Sequence, residues 1–220
     1  MLIKLRGILL TDQFLIERPT FDPATGQARF MYDLGGMHFV ETLDFPAGMQ
    51  ANAATSPNFI KLLDLTAIVL GVSYFKLRAP YAIVAPQIPL NATERAFVID
   101  VYENGLGEFY ARNNLQRFDK LSLVAPQDAA DRQPAIALPD RMLLPIGGGK
   151  DSLVSVDLLA HTGVDFTPFA VNPKGPILSS VSAIDTAPIY VTRTLDPKMI
   201  RLGTQPGFYN GHVPSTAINS

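Results

Sequence analysis

Met142-Leu143-Leu144-Pro145-Ile146-Gly147-Gly148-Gly149-Lys150-Asp151-Ser152 is the stretch on which the reading of this chain turns. The apolar run 142–146 predicts a short buried strand. Leu153 to His161, closed by Gly163, predicts an apolar-rich helix. The order is therefore strand, glycine turn, helix. That geometry gathers backbone N–H groups at a helix N-terminus, where they attract phosphate or pyrophosphate. Three consecutive glycines leave no Cβ between the backbone and an anion. Lys150 can add a point charge and Ser152 a hydroxyl donor. The bland alternative is an ordinary strand-to-helix turn, which has no need of Lys-Asp-Ser in that order.

Two familiar phosphate loops do not fit. A Walker A loop needs Ser or Thr after its lysine and a glycine five residues before its second glycine. Here Asp151 follows Lys150, and Leu144 occupies the first glycine position. A Rossmann turn fails because its third glycine would fall on Ser152. The stretch resembles instead the PP-loop of the N-type ATP pyrophosphatases, Ser-Gly-Gly-x-Asp-Ser. Gly147 departs from that pattern at the first position and loses one hydroxyl, where a backbone N–H can still serve.

Composition bounds the rest. The 220 residues are 47% hydrophobic and 17% charged, as in a globular chain. A net charge of -2 gives no footprint for nucleic acid. There is no cysteine, hence no disulfide framework or thiolate metal site. His38, His161 and His212 are far apart in sequence, without metal-ligand spacing. Apolar runs are expected to fall short of the ~18 residues of a membrane span. The N-terminus lacks a signal-cleavage pattern, so a cytoplasmic location is expected.

Residues 1–135 are read as an α+β domain, a β-hairpin plus helices. Residues 27–34 carry Ala28, Phe30 and Tyr32 on alternate positions, the period of a half-buried strand. Gly35-Gly36 is a two-residue turn, and Phe39, Leu43 and Phe45 are burial candidates on the return strand. His38 is expected at the surface. Ser56-Pro57 starts a helix whose face is read as Phe59, Leu62, Leu63, Thr66, Ala67 and Leu70, ended or interrupted by Gly71. Residues 81–84 are a strand candidate. Asn91 to Glu94 is a capping box opening a second helix, with Phe97, Val98, Val101, Tyr102, Leu106, Phe109 and Tyr110 as its core stripe. Gly105 and Gly107 weaken that helix and suggest close packing or a break there.

Residues 125–140 are Pro-, Gln- and Asp-rich and lose all periodicity, so a domain boundary is placed there. Residues 136–220 then give strands at 142–146, 166–171 and 188–192, with helices between them, which implies a parallel α/β sheet. Pro145 and Pro168 each remove a ladder donor and should sit where no pairing partner needs one. A parallel nucleotide-binding domain normally needs about five strands and ~100–150 residues. The expectation is therefore the first part of such a domain, in the N-terminal portion of a longer protein.

Several segments together are similar to one family. They are 71–76 (Gly-Val-Ser-Tyr-Phe-Lys), 103–109 (Glu-Asn-Gly-Leu-Gly-Glu-Phe), the 147–152 loop, Asn172-Pro173 with Gly175-Pro176, and 210–214 (Asn-Gly-His-Val-Pro). They resemble the MurL family, ATP-dependent epimerases of the terminal glutamate in UDP-N-acetylmuramoyl-L-alanyl-L-glutamate. The resemblance implies ATP and Mg²⁺, a small nucleotide-sugar peptide as substrate, and neither nucleic acid nor membrane as partner. It puts Gly147, Gly148, Gly149, Lys150, Asp151, Ser152 and Asn172 at the ATP phosphates, with Asp151 toward Mg²⁺. Lys76, Arg78 and Glu108 are substrate-contact candidates, against the plainer reading of solvated charges. His212 is the candidate for the epimerising base, against a structural histidine. Two competing classes stay open: another PP-loop ligase or tRNA-modifying enzyme, and an ATP-binding fragment inactive by itself.

Overall fold

The computed structural model describes residues 12–46, 54–128 and 140–209. The strands are β1 (Gln13–Ile16), β2 (Thr20–Asp22), β3 (Gln27–Leu34), β4 (Met37–Asp44), β5 (Ala82–Val84), β6 (Ser122–Val124), β7 (Met142–Pro145), β8 (Phe166–Val171) and β9 (Ile189–Thr194). The helices are α1 (Pro57–Phe75), α2 (Ala92–Glu103), α3 (Gly107–Arg112), α4 (Lys150–Thr162), α5 (Pro176–Ser182) and α6 (Pro197–Leu202). The sheet order is β6-β5-β1-β3-β4-β9-β8-β7, with β2 alongside β3.

The β3–β4 hairpin forms as its sequence predicts. Gly35 and Gly36 both take positive φ, 61° and 86°, the twist a two-residue turn needs. Phe30, Tyr32, Phe39 and Leu43 point into the core, and the His38 side chain is 74% exposed beside Asp33. α1 lies across this sheet. The Tyr32 hydroxyl donates to Ala67 O at 2.9 Å and the Tyr102 hydroxyl to Ile68 O at 2.8 Å. Both phenols are buried, so each needs such an acceptor.

Three expectations for these helices are corrected. Gly71 neither ends nor interrupts α1, which runs through it to Phe75. A Cβ there would come within 3.0–3.1 Å of Tyr102, Phe14 and Tyr32, so this glycine sets how closely helix and sheet approach. Leu62 is 63% exposed, while Lys61 and Asp64 are buried. Lys61 Nζ meets Glu94 and Asp128 at 3.1 and 2.9 Å, and Asp64 meets Arg18 at 3.1 Å. Ion pairing thus turns the helix away from its plain hydrophobic face. Phe97 is 46% exposed, although Val98, Tyr102, Leu106, Phe109 and Tyr110 of the same stripe are buried. α1 is also long and apolar enough to cross a membrane by length and composition alone, with half of it buried in the core.

β7, β8 and β9 run parallel, as predicted. β9 also pairs antiparallel with β4, so strands from before and after the expected boundary share one sheet. Met142 N–H donates to Asp165 O and Ile146 N–H to Phe169 O. Even-numbered residues of β7 and odd-numbered residues of β8 therefore face each other. Pro145 turns its missing donor to the open edge. Pro168 turns its own toward β9, one residue before that ladder begins at Phe169–Ile189. The expected burial of β7 is not found: Met142 is 49% and Leu143 56% exposed. Among the described strands β7 is the last of the sheet, with no strand beyond it.

Candidate functional site

The glycine loop sits where β7 ends and α4 begins. Gly149 caps α4 with extended backbone and no side-chain hydrogen bond, so the first-turn amides of α4 keep no side-chain cap. Asp151 lies in that first turn, where a carboxylate is favoured by the helix dipole. Gly148 has φ +77°, and a Cβ there would lie 2.8 Å from the Ile177 backbone N and 3.0 Å from Pro176 C. Gly149 has open space around its Cα. One glycine therefore locks the loop against the start of α5, and another leaves room for a ligand. Ser152 Oγ accepts from Gly147 N at 3.1 Å, closing the loop on its own helix. Gly147, Gly149, Lys150 and Asp151 are exposed.

The second βα turn follows β8, at the same carboxyl edge of the parallel strands. Asn172 adopts φ +47°, a conformation that short polar side chains tolerate. Its Nδ2 donates to Arg193 O at 2.9 Å, and its Oδ1 accepts from Arg193 N at 2.8 Å. The side chain thus extends the ladder to β9.

Arg193 leads from there into the core. Its Nε donates to Glu41 Oε1 at 2.5 Å, and its second guanidinium nitrogen lies 3.4 Å from Ser73 Oγ. Glu41 is fully buried, and among the described residues its Oε2 meets no donor at hydrogen-bond geometry. Burial pushes the Glu41 carboxyl above its ordinary range, with Arg193 opposing. Asp196 completes the seam: its carboxylate accepts from Val40 N at 3.1 Å and Lys198 N at 2.8 Å, capping α6. Sequence reasoning missed this seam and α6. The Asp196-Pro197 pair, an N-cap before a first-turn proline, was the legible signal for that helix.

The substrate-contact candidates fall in different places. Lys76 is buried at the end of α1, its ammonium held below the usual lysine range by burial and by Arg193. Arg78 is exposed and stacks on Phe208 at 5.1 Å. Glu108 is a solvated partner of Arg112 at 2.8 Å, one turn away on α3. Neither has a described contact with the loop. His212 lies outside the described residues. Among the described residues no group of three or more His, Asp or Glu could hold a metal ion.

A family model described as the MurL N-terminal domain matches residues 9–220. The chain belongs to the MurL family. Three curated relatives carry the name UDP-N-acetyl-alpha-D-muramoyl-L-alanyl-L-glutamate epimerase. The Micromonospora sp. protein is 37% identical over 95% of this chain and 48% of its own length. That of Xanthomonas oryzae pv. oryzae is 36% identical over 94% of this chain and 46% of its own. That of Salinispora tropica is 35% identical over 95% and 47%. The chain thus spans about half the length of the MurL relatives it matches. No solved structure matches.

Proposed function

We propose that this chain is the phosphate-binding part of an ATP-dependent epimerase. Its substrate is UDP-N-acetylmuramoyl-L-alanyl-L-glutamate, whose terminal residue becomes D-glutamate in peptidoglycan synthesis. One observation carries this reading: the relatives bearing that enzyme's name match 94–95% of the chain, and the glycine loop lies inside the shared span.

The chemistry explains why such an epimerase needs ATP. A free carboxylate opposes loss of the neighbouring Cα proton, because a second negative charge would form beside the first. Attack of the carboxylate oxygen on the α-phosphorus of ATP breaks the bond to the β-phosphate and releases pyrophosphate. The resulting acyl adenylate is uncharged at the carbonyl, and its Cα–H is far more acidic. A base takes that proton, and a proton returns on the opposite face. Water then attacks the acyl carbon and frees AMP.

In this scheme the uncapped amides of α4 and the Ser152 hydroxyl hold the departing pyrophosphate, and Lys150 adds charge. Their stabilisation grows as the bond to AMP breaks, which is what accelerates the step. Mg²⁺, when bound, neutralises phosphate charge. A single carboxylate, Asp151, suits an ion that takes its other ligands from phosphates and water. Asn172 fixes the second turn beside the loop. The requirement for ATP places the reaction in the cytoplasm.

The test is incubation of the full-length protein with ATP, Mg²⁺ and the muramoyl dipeptide. The expected products are AMP, pyrophosphate and D-glutamate in the hydrolysed peptide. Absence of AMP with folded protein would overturn the proposal.

A further inference from the structure

We infer that in full-length proteins of this family, the half not represented in this chain packs on the β7–α4 end of the sheet. The inference rests on family membership and not on the nucleotide reading.

Parallel strands are normally covered on both faces and flanked by further strands. Among the described residues β7 has a neighbour on one side only, β8. Its outward-facing backbone offers the Leu143 N–H and the carbonyls of Leu143 and Pro145. The side chains at this end are apolar and uncovered: Leu143 is 56% exposed, Leu153 43%, Val154 56% and Leu158 61%. No residue of α4 is fully buried, although the helix has thirteen residues. Elsewhere the same sheet is well covered, with Phe14, Ile16, Phe30 and Ile83 at 0% exposure. Other large apolar side chains are exposed singly, such as Leu62 and Ile200, but β7 and α4 carry five of them, Met142, Leu143, Leu153, Val154 and Leu158, and such a grouping marks an interaction surface.

The occupant follows from length. The curated relatives extend over roughly twice the span they share with this chain, so as much polypeptide again must find a place. A surface of leucine and valine beside an unpaired parallel edge fits a covalently continuous neighbour. It is a poor surface for a separate soluble partner that must dissociate.

Hydrogen exchange read by mass spectrometry tests this. The free 220-residue chain is compared with the same chain fused at Ser220 to the uncovered half of the Micromonospora relative. The full-length Micromonospora protein serves as a second comparison, through its peptides that match residues 142–145 and 153–159. Protection of those peptides should rise at least about tenfold in both long proteins. Leu158→Glu in the fusion should return peptide 153–159 to the rate of the free chain, while the circular dichroism of the free chain stays the same. Equal protection in the free chain and the full-length relative would overturn the inference. So would a free chain that dimerises and protects these peptides by itself, since the occupant would then be a second copy.

Discussion

The Ser152 hydroxyl accepts the Gly147 amide proton and keeps its own proton to donate. Ser152→Ala therefore removes a loop contact worth about 1 kcal/mol as well as a phosphate donor. In the full-length protein, AMP release should fall roughly 10²–10³-fold, the usual effect of losing one such donor. Thermal stability should move far less than rate. A loss of stability large enough to explain the rate would return Ser152 to a purely structural role. Asp151→Asn should slow AMP release similarly, with partial recovery at raised Mg²⁺; a defect insensitive to Mg²⁺ would argue against a metal-orienting carboxylate. Arg193→Met speaks to the seam. Removing the cation leaves Glu41 buried without its partner, a change that typically costs ~3–5 kcal/mol. Glu41 already titrates above its ordinary value, and without Arg193 it rises further. A carboxyl raised in the folded state favours folding below its unfolded pKa, and that contribution is lost as pH climbs through the folded value. The gap between wild type and Arg193→Met should accordingly be widest at pH 8 and narrow toward pH 4.5. Denaturant unfolding across that range measures it, and a gap that widens on acidification would contradict the assignment.

Among the elements, legibility followed local chemistry. The α2 capping box is visible in Asn91 and Glu94 and is present in full, each side chain bonded to the other's backbone. Asn91→Ala should cost about 1 kcal/mol in thermal unfolding. The Gly35-Gly36 turn and the strand–loop–helix at 142–162 are equally local; both formed, the helix starting at Lys150, three residues before its expected first residue Leu153. What sequence could not supply was which side of a helix meets which neighbour. Burial of Lys61 depends on Glu94 and Asp128, and passage of α1 through Gly71 depends on three rings from other elements. The same limit applies to α4. Its Leu159 is only partly buried, so Leu159→Ala in this chain should cost less than the ~2–5 kcal/mol of a fully buried leucine. Leu158→Ala should be close to neutral. A cost of several kcal/mol at Leu158 would mean that this face is already covered.

At the scale of the molecule, the parallel arrangement of β7, β8 and β9 was legible from alternation of strand and helix. The junction of β9 with β4 was not, because nothing local announces a pairing between such distant segments. Glu41 and Arg193 are separated by 152 positions, yet each is what makes the other tolerable in the interior. A ribosome adding about 5–20 residues per second needs roughly 8–30 s to travel from one to the other. Throughout that interval β4 can pair with β3, its sequence neighbour, while the strand for its other edge is not yet made. An emerging chain in this condition presents an unpaired ladder and a carboxylate that must stay hydrated. That makes the time between synthesis of Glu41 and of Arg193 the period when the chain most depends on chaperones.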